Sequence, residues 1–456
     1  MASRPKNIIL IVSDSLRYDA VYRNGDPGLE YMEKNGIQFT NARSAACWTL
    51  PATASLFSGL MPHQHGANSQ ARWFKDEIPS LAGKLKGQGY KPIMVTANSV
   101  TTEIFNLSKD FEEVHKIWRY VDSRHPMLLR VVLTLNRPRI RRMVLKPNDE
   151  IFDQLSEDLS QGLIWAQKTC TDLFAKTREL MKSNNENGQP TFFFLNMMET
   201  HYPYHVDDTF GLLSTSLWGK AREWHTLYHL LSQSFLKSDK EVIKKDMLDL
   251  FKERQYRSWL LIRKNLDAYI EELHKDENNL VVFCSDHGDN FGDQGWQYHF
   301  SNVTDAGNRV PLFWMGHDHP KAETMDHNVS SRLIHQSILE AAGCEKQDAN
   351  LFDKAPQSMP LLQSYWYNNE GHTMDKYKYN QMCFVEGNDR YVLRGDKWMH
   401  APVSTPGIAE PTFEFIGNNI NPIHELGLEA EKKDFLTNTI DDFTRFSDAV
   451  MKRTLK

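Results

Sequence analysis

The 456-residue chain lacks several features that would have assigned its class directly. It has no excess of one charge. Its 53 Lys and Arg against 59 Asp and Glu leave a formal charge of −6, so the molecule as a whole gives no electrostatic argument for nucleic acid. It has few cysteines. The five, at 47, 170, 284, 344 and 383, are scattered and include no CxxC pair, which excludes a disulfide framework and suits reduced thiols. No stretch approaches the roughly 20 apolar residues that span a bilayer. Internal repeats and low-complexity tracts are absent too. Residues 1–7 are polar, and the apolar run after them is too short for a signal core and lacks a small-residue cleavage site. The expectation is a cytoplasmic protein. Its composition, 40% hydrophobic and 25% charged, suits one large core plus an appended subdomain.

What is present is an alternation of apolar runs and helical patterns. Residues 7–13, 91–96, 191–196, 280–285 and 310–314 read as buried strands, short and rich in β-branched residues. Helical periodicity covers 52–58, 78–88, 155–182, 257–274 and 331–342. This order predicts an α/β fold with a mostly parallel central sheet flanked by helices. In such sheets ligands bind beyond the carboxyl ends of the strands. Asp14, Asn98, the Glu199-Thr200-His201 segment and Asp286-His287 each follow one of these runs, so four segments are expected to meet at one sheet edge. From about residue 373 the pattern changes to strands at 381–386 and 390–394, a Pro/Gly-rich stretch and a helix near 441–453. The predicted organisation is a catalytic domain over 1–372 and a small α+β subdomain over 373–456.

Two segments read as insertions, about 116–150 and 205–252. The first carries Arg124, Arg130, Arg137, Arg139, Arg141, Arg142 and Lys146 among Leu and Val. Two readings stay open for it, a solvated lid helix and a contact for an anionic substrate or a membrane surface. Peripheral membrane association and homo-oligomerisation stay open with it.

Three segments carry chemistry. Residues 8–14 are an apolar run that ends in Asp14, and residues 281–289 repeat that design with Asp286-His287. Between them in the chain, Thr49 stands two residues before Pro51 on a turn that leads into a helical pattern. Asp14, Asp286 and His287 form a mixed O/O/N ligand set, and an imidazole argues for Mn, Zn or Fe over Ca. One divalent ion, Mn or Zn, is expected. A second ion would need another Asp/His cluster bridging at about 4 Å, and after residue 191 the sequence offers only Glu199 and His201. A Thr hydroxyl is a weak nucleophile until a metal lowers its pKa, so Thr49 is expected at the metal as well. Asp289 and Asp293 read as loop-shaping carboxylates, and His63 and His65 as packing at a helix end.

These blocks resemble the sulfatase branch of the alkaline phosphatase superfamily. "NIILIVSDSLRYD" is similar to that family's first strand and metal loop, and "TLPATASLFSGLMPHQHG" to its nucleophile helix. "FFFLNMMETHYPY" resembles the middle strand with a substrate-side His, and "YRSWLLIRKNLDAYIEEL" the helix before the second metal strand. "VVFCSDHGDNFGDQGWQYHFSNVTDAGNRVPLFW" resembles the block with Asp-His-Gly, a later His and Arg-Val-Pro-Leu, and "DRYVLRGDKW" the strand pair of the C-terminal subdomain. The resemblance implies an alkaline-phosphatase/sulfatase-like sandwich. It implies that His201 and His299 hydrogen-bond the transferred group, one of them protonating the leaving oxygen.

The departures from that pattern shape the expected function. Sulfatases carry Cys or Ser two residues before the proline, oxidised to formylglycine, and Arg two residues after it. Thr49 and Thr53 hold those positions here, and a secondary alcohol cannot become an aldehyde. A Gly-Lys block after the second strand is replaced by Thr96-Ala97-Asn98, so Asn98 is read as a neutral donor in place of Lys, and Thr53 as a donor in place of Arg. The resemblance thus implies a hydrolase or transferase that cleaves phosphate esters, diesters foremost, through a Thr49 phosphoryl intermediate. The anionic substrate could be lipid- or glycan-linked. The alternatives are a sulfate-ester hydrolase working without formylglycine and a catalytically silent metal-containing binding protein.

Overall fold

A computed structural model describes residues 4–25, 28–69, 71–117, 169–202, 204, 213–214, 216–223, 243–299, 302–316, 322–365, 379–405, 411–418 and 422–454. The basic segment 124–146, and most of the expected insertions 116–150 and 205–252, lie outside these residues. So does the first part of the helical pattern at 155–182. Labels below count the strands of the two main sheets and the helices of seven residues or more.

Strand β1 (Asn7–Ser13) is buried along its whole length. A strand covered on both faces is apolar through its middle, here Ile8 to Val12, which is why it appears in the sequence as a continuous run, while its polar ends Asn7 and Ser13 hydrogen-bond Asn279 and Thr200. It pairs in parallel with β5 (Thr191–Met197) on one side and β6 (Asn279–Ser285) on the other, with Asn7 level with Thr191 and Asn279. Outside β5 come β3 (Lys91–Thr96) and β4 (Glu113–Lys116), also parallel. Outside β6 come β7 (Leu312–Met315), β2 (Ile37–Phe39) and β8 (Glu323–Met325). In the resulting order β8-β2-β7-β6-β1-β5-β3-β4, only β7 runs against its neighbours. The mostly parallel central sheet is therefore observed, and the carboxyl ends of β1, β3, β5 and β6 lie along one edge.

The two faces of β1 feed two cores. Ile8, Leu10 and Val12 pack with Leu50, Ala54 and Phe57 of α1 (Thr49–Ser58), with Leu81 and Leu85 of α2 (Leu81–Gly87), and with Ile334 and Ile338 of α5 (Ile334–Ala341). Ile9 and Ile11 pack with Leu173 and Phe174 of α3 (Thr169–Glu186) and with Trp259, Ile262 and Leu266 of α4 (Lys245–His274). This is the helix–sheet–helix sandwich predicted from the alternation. Helix α1 accepts Pro51 because a first-turn residue needs no amide donor, and it ends at Gly59, whose φ of 74° suits glycine. Phe57 meets Phe194 of β5 edge-on at 4.8 Å, which fixes the helix against the sheet.

A second, antiparallel sheet follows, with β9 (Leu361–Ser364), β10 (Gln381–Glu386), β11 (Asp389–Arg394), β12 (Lys397–Pro402) and β13 (Glu414–Asn418) in sequential order. Its first strand lies upstream of residue 373. Its apolar face, with Phe384 and Trp398, packs with Leu436, Ile440 and Phe443 of α6 (Ala430–Thr454) and with Met61. The sheet also grips the chain leading into α1, since Gln363 donates its backbone N–H to the Ala45 carbonyl at 2.8 Å.

Candidate active site

The turn after β1 places Asp14 at the sheet edge. Ser15 follows with φ 61°, a left-handed conformation that costs a non-glycine residue about 1–3 kcal/mol. That turn aims the Ser15 backbone N–H at Asp286 Oδ1 (3.1 Å) and its hydroxyl at Asp14 Oδ1 (2.9 Å). The turn after β6 delivers Asp286 and His287. Gly288 must be glycine, because a Cβ there would run into the Ala306 carbonyl oxygen.

One ligand atom from each of Asp14, Asp286 and His287 lies within 4.8 Å of the others, and all three side chains are buried. His287 donates Nδ1–H to the Gly288 carbonyl at 2.9 Å. Its Nε2 lone pair is thereby left facing Asp286 Oδ2 at 3.5 Å and Asp14 Oδ1 at 3.8 Å. Burial, aided by His299, pulls the His287 imidazole down to about 4, so it is neutral as a ligand must be. Burial and the charge of Asp14 push the Asp286 carboxyl well above its usual range, and Asp286 Oδ2 has no hydrogen-bond partner. An orphaned carboxylate oxygen, a second carboxylate and a neutral imidazole fit a divalent cation, which would relieve the repulsion between the two acids.

Thr49 begins α1 at this cluster. Its Oγ1 is 3.3 Å from Asp14 Oδ2 and 3.4 Å from His287 Nε2. Asn98 donates Nδ2 to Asp14 Oδ2 at 2.5 Å and accepts the Val100 N–H on Oδ1, so it touches the metal-side carboxylate. Thr53 sits one turn below Thr49, fully buried, and its hydroxyl has no hydrogen-bond partner. His201 donates Nδ1–H to the Tyr202 carbonyl at 2.8 Å. Its ring centre lies 5.1 Å from that of His299, which is 4.6 Å from that of His287. The expected residues Asp14, Thr49, Asn98, His201, Asp286, His287 and His299 are thus brought together. His63 and His65 stand apart. The His63 backbone N–H donates to Gln363 Oε1 and His65 Nε2 bonds the Ser55 hydroxyl.

Sequence reasoning missed Asp289. It is fully buried, with Oδ1 2.5 Å from His299 Nδ1 and Oδ2 accepting the Tyr204 hydroxyl at 2.8 Å. Burial pushes its carboxyl up to about 7, against the pull of His201, His287 and the Tyr204 hydroxyl. Burial and His201 pull His299 down to about 3. Asp293, by contrast, does shape its loop, through Arg17 at 2.6 Å.

The chain has known relatives in sequence and in fold. The family model for sulfatases matches residues 6–344. The chain is 21% identical to arylsulfatase K of Xenopus laevis over 434 residues, covering 87% of this chain and 75% of that one. It is 26% identical to an ulvan-active sulfatase of Formosa agariphila over 121 residues, spanning about a quarter of each. Among solved structures, the phosphonate monoester hydrolase of Agrobacterium radiobacter superposes with a TM-score of 0.60 at 14% identity, over 97% of this chain and 96% of that one. A family match over most of the chain, on this fold and with a candidate divalent-metal site, establishes an ester-hydrolysing enzyme: the chain belongs to the sulfatase family.

Proposed function

We propose that this enzyme cleaves phosphate esters, diesters foremost, with Thr49 as nucleophile and one Mn or Zn ion held by Asp14, Asp286, His287 and Thr49. The observation that carries the reading is the placement of Thr49 Oγ1 within 3.4 Å of both Asp14 Oδ2 and His287 Nε2. A divalent ion in that set would supply Lewis acidity, lowering the pKa of the Thr49 hydroxyl so that its proton is lost before attack. The chain does the rest. Helix α1 fixes Thr49 in line with the phosphorus. His201 and His299 hydrogen-bond the transferred group, with Asn98 and Thr53 as neutral donors where the resemblance leads one to expect cations.

Charge selects the substrate. Two carboxylates cancel a divalent ion, and among the described residues no Lys or Arg pairs with Asp14, Asp286 or His287. With Thr49 deprotonated the set carries no net positive charge, which suits a singly charged ester and penalises a doubly charged phosphomonoester. A sulfate ester is also singly charged, and the names of the relatives favour it as a second reading. Against it stands the secondary alcohol at position 49, which closes the formylglycine route.

The test is turnover of matched aryl phosphodiester, phosphomonoester and sulfate ester by protein stripped of metal and reloaded with Mn or Zn, beside Thr49→Ala. The expected result is metal-dependent diester turnover that exceeds the monoester rate and falls by about four orders of magnitude or more in the variant. Faster sulfate turnover would establish the second reading. Retained metal with no ester cleaved would point to a silent binding protein.

A further inference from the structure

The reading above gives Asp289 no task, yet the fold invests heavily in it. Its carboxylate lies between His299 Nδ1 at 2.5 Å and the Tyr204 hydroxyl at 2.8 Å. Its carbonyl accepts Arg17 Nη1 at 2.8 Å, and Arg17 is itself held by Asp19 and Asp293. The Tyr204 carbonyl accepts Arg254 Nη2 at 2.9 Å, and Arg254 pairs with Glu223 at 2.6 Å with both side chains fully buried. Tyr204 and Tyr298 adopt φ of 58°, so the backbone is strained both where the tyrosine reaches Asp289 and immediately before His299. A loop-shaping carboxylate does not need a histidine ring at 2.5 Å. An imidazole fixed by a buried carboxylate is how a proton-transfer group is given one orientation and one tautomer.

We propose that Asp289 is the positioning residue for His299. By fixing Nδ1 it orients the ring so that Nε2 gives a proton to the leaving oxygen and later takes one from water. The inference rests on the Thr49 reading for the identity of the nucleophile. With one proton shared between Asp289 and His299 in addition to the imidazole's own, the first step forms the bond from Thr49 Oγ1 to phosphorus, breaks the bond to the leaving oxygen and sends the Nε2 proton to that oxygen, leaving His299 neutral with its N–H on Nδ1 toward the Asp289 carboxylate. In the second, water oxygen bonds phosphorus, its proton goes to Nε2, and Thr49 Oγ1 departs as it began. The sum is ester plus water giving acid plus alcohol, with His299 restored. Tyr204 holds the far oxygen of Asp289, so its removal should produce a weaker version of the same defect.

The experiment measures the single-turnover rate of alcohol release, kcat and KM for Zn-loaded wild type, Asp289→Asn, Tyr204→Phe, His299→Ala and Thr49→Ala on aryl phosphodiesters of graded leaving-group acidity. Zinc content is checked for each. In Asp289→Asn, the single-turnover rate of alcohol release, which reports the first step alone, should fall about 100-fold or more with a phenol leaving group but less than about tenfold with a dinitrophenol, with KM little changed. His299→Ala should show the same gradient, and Tyr204→Phe a shallower one. A uniform loss across the series, or one carried by KM, would overturn the proposal and leave Asp289 a structural residue. Proton NMR gives a readout independent of turnover. A low-field imidazole N–H signal should be present in wild type and lost in both Asp289→Asn and His299→Gln, and its survival in Asp289→Asn would also overturn the proposal. Activity retained in Thr49→Ala alongside a leaving-group gradient in Asp289→Asn would sink the Thr49 reading alone, whereas an inactive Thr49→Ala with a uniform Asp289→Asn loss would sink only this one.

Discussion

Two fully buried acid clusters in this molecule have opposite surroundings. Asp305 is surrounded by cations that the chain itself provides. Arg43 holds it through Nε at 2.8 Å, Arg390 of β11 approaches to 3.8 Å, and Ser404 donates both its N–H and its hydroxyl. Burial alone would raise its carboxyl, but Arg390 and Arg43 hold it far below the usual range. Asp14 and Asp286 have each other and His287, and Asp286 is pushed the other way. The first cluster draws its cations from the chain itself and ties β11 of the second sheet to Arg43 and Asp305. Among the described residues the second has a possible ligand set and no Lys or Arg paired with it, which fits an external divalent cation.

The contrast predicts crossed effects, the largest at the metal-side cluster. Asp286→Asn should abolish metal-dependent turnover, a loss of about four orders of magnitude or more, while leaving the metal-free protein as stable as before in chemical denaturation. Asp305→Asn should do the reverse. It leaves Arg43 and Arg390 without their carboxylate, and unfolding should show a loss of about 3–5 kcal/mol with metal affinity unchanged. Equal destabilisation by both substitutions would erase the distinction.

Next in size is ligand linkage. Mn or Zn at a hundredfold excess over Kd should stabilise wild type by about 3 kcal/mol, reversed by a chelator and absent in Asp286→Asn. A thermal shift of the same size in Asp286→Asn would place the ion elsewhere.

A third prediction uses His65, whose neutrality the fold enforces without any metal. Its Nδ1 accepts the Ala67 N–H at 3.1 Å, and burial with His63 pulls its pKa down to about 3. Because the folded value lies below the ordinary 6.5, the unfolded chain takes up the proton first as pH falls. The stabilisation is complete above pH 6.5 and is lost on the way down toward 3. Between pH 7 and 5 His65 should account for about 2 kcal/mol of lost stability. His65→Asn, whose side-chain oxygen can still accept the Ala67 N–H, should remove that share of the pH dependence. The smallest effect belongs to Thr53. Its hydroxyl makes no hydrogen bond, so Thr53→Val should change metal-free stability by less than about 1 kcal/mol. It should raise KM for a diester a few-fold, and an unchanged KM would remove Thr53 from substrate binding.

The parts of the fold legible in the sequence were those with unbroken burial. β1 matches its apolar run residue for residue, and β3, β5, β6 and β7 lie within two residues of theirs. Helix α4 begins at Lys245, twelve residues before its predicted start; its first turns bury Leu248 and Phe251, but the next buried positions are the polar Arg254 and Gln255, which interrupt the apolar stripe. β2 and β8 have three residues each, too few to show a period. The same logic governs the site. Asp14, Asp286 and His287 could be read because each follows a strand directly. Asp289 follows the same strand, but its meaning depends on His299 ten residues later. The loop that returns His299 turns through Gln294 at φ 49° and Tyr298 at φ 58°, conformations that composition does not announce.

The most direct measurement is calorimetric titration of metal-stripped wild type and Asp286→Asn with Mn and with Zn. One ion per wild-type chain and none in the variant is the predicted result. Equal stoichiometry and affinity in the two proteins would contradict the claim that these uncompensated carboxylates exist to hold a metal.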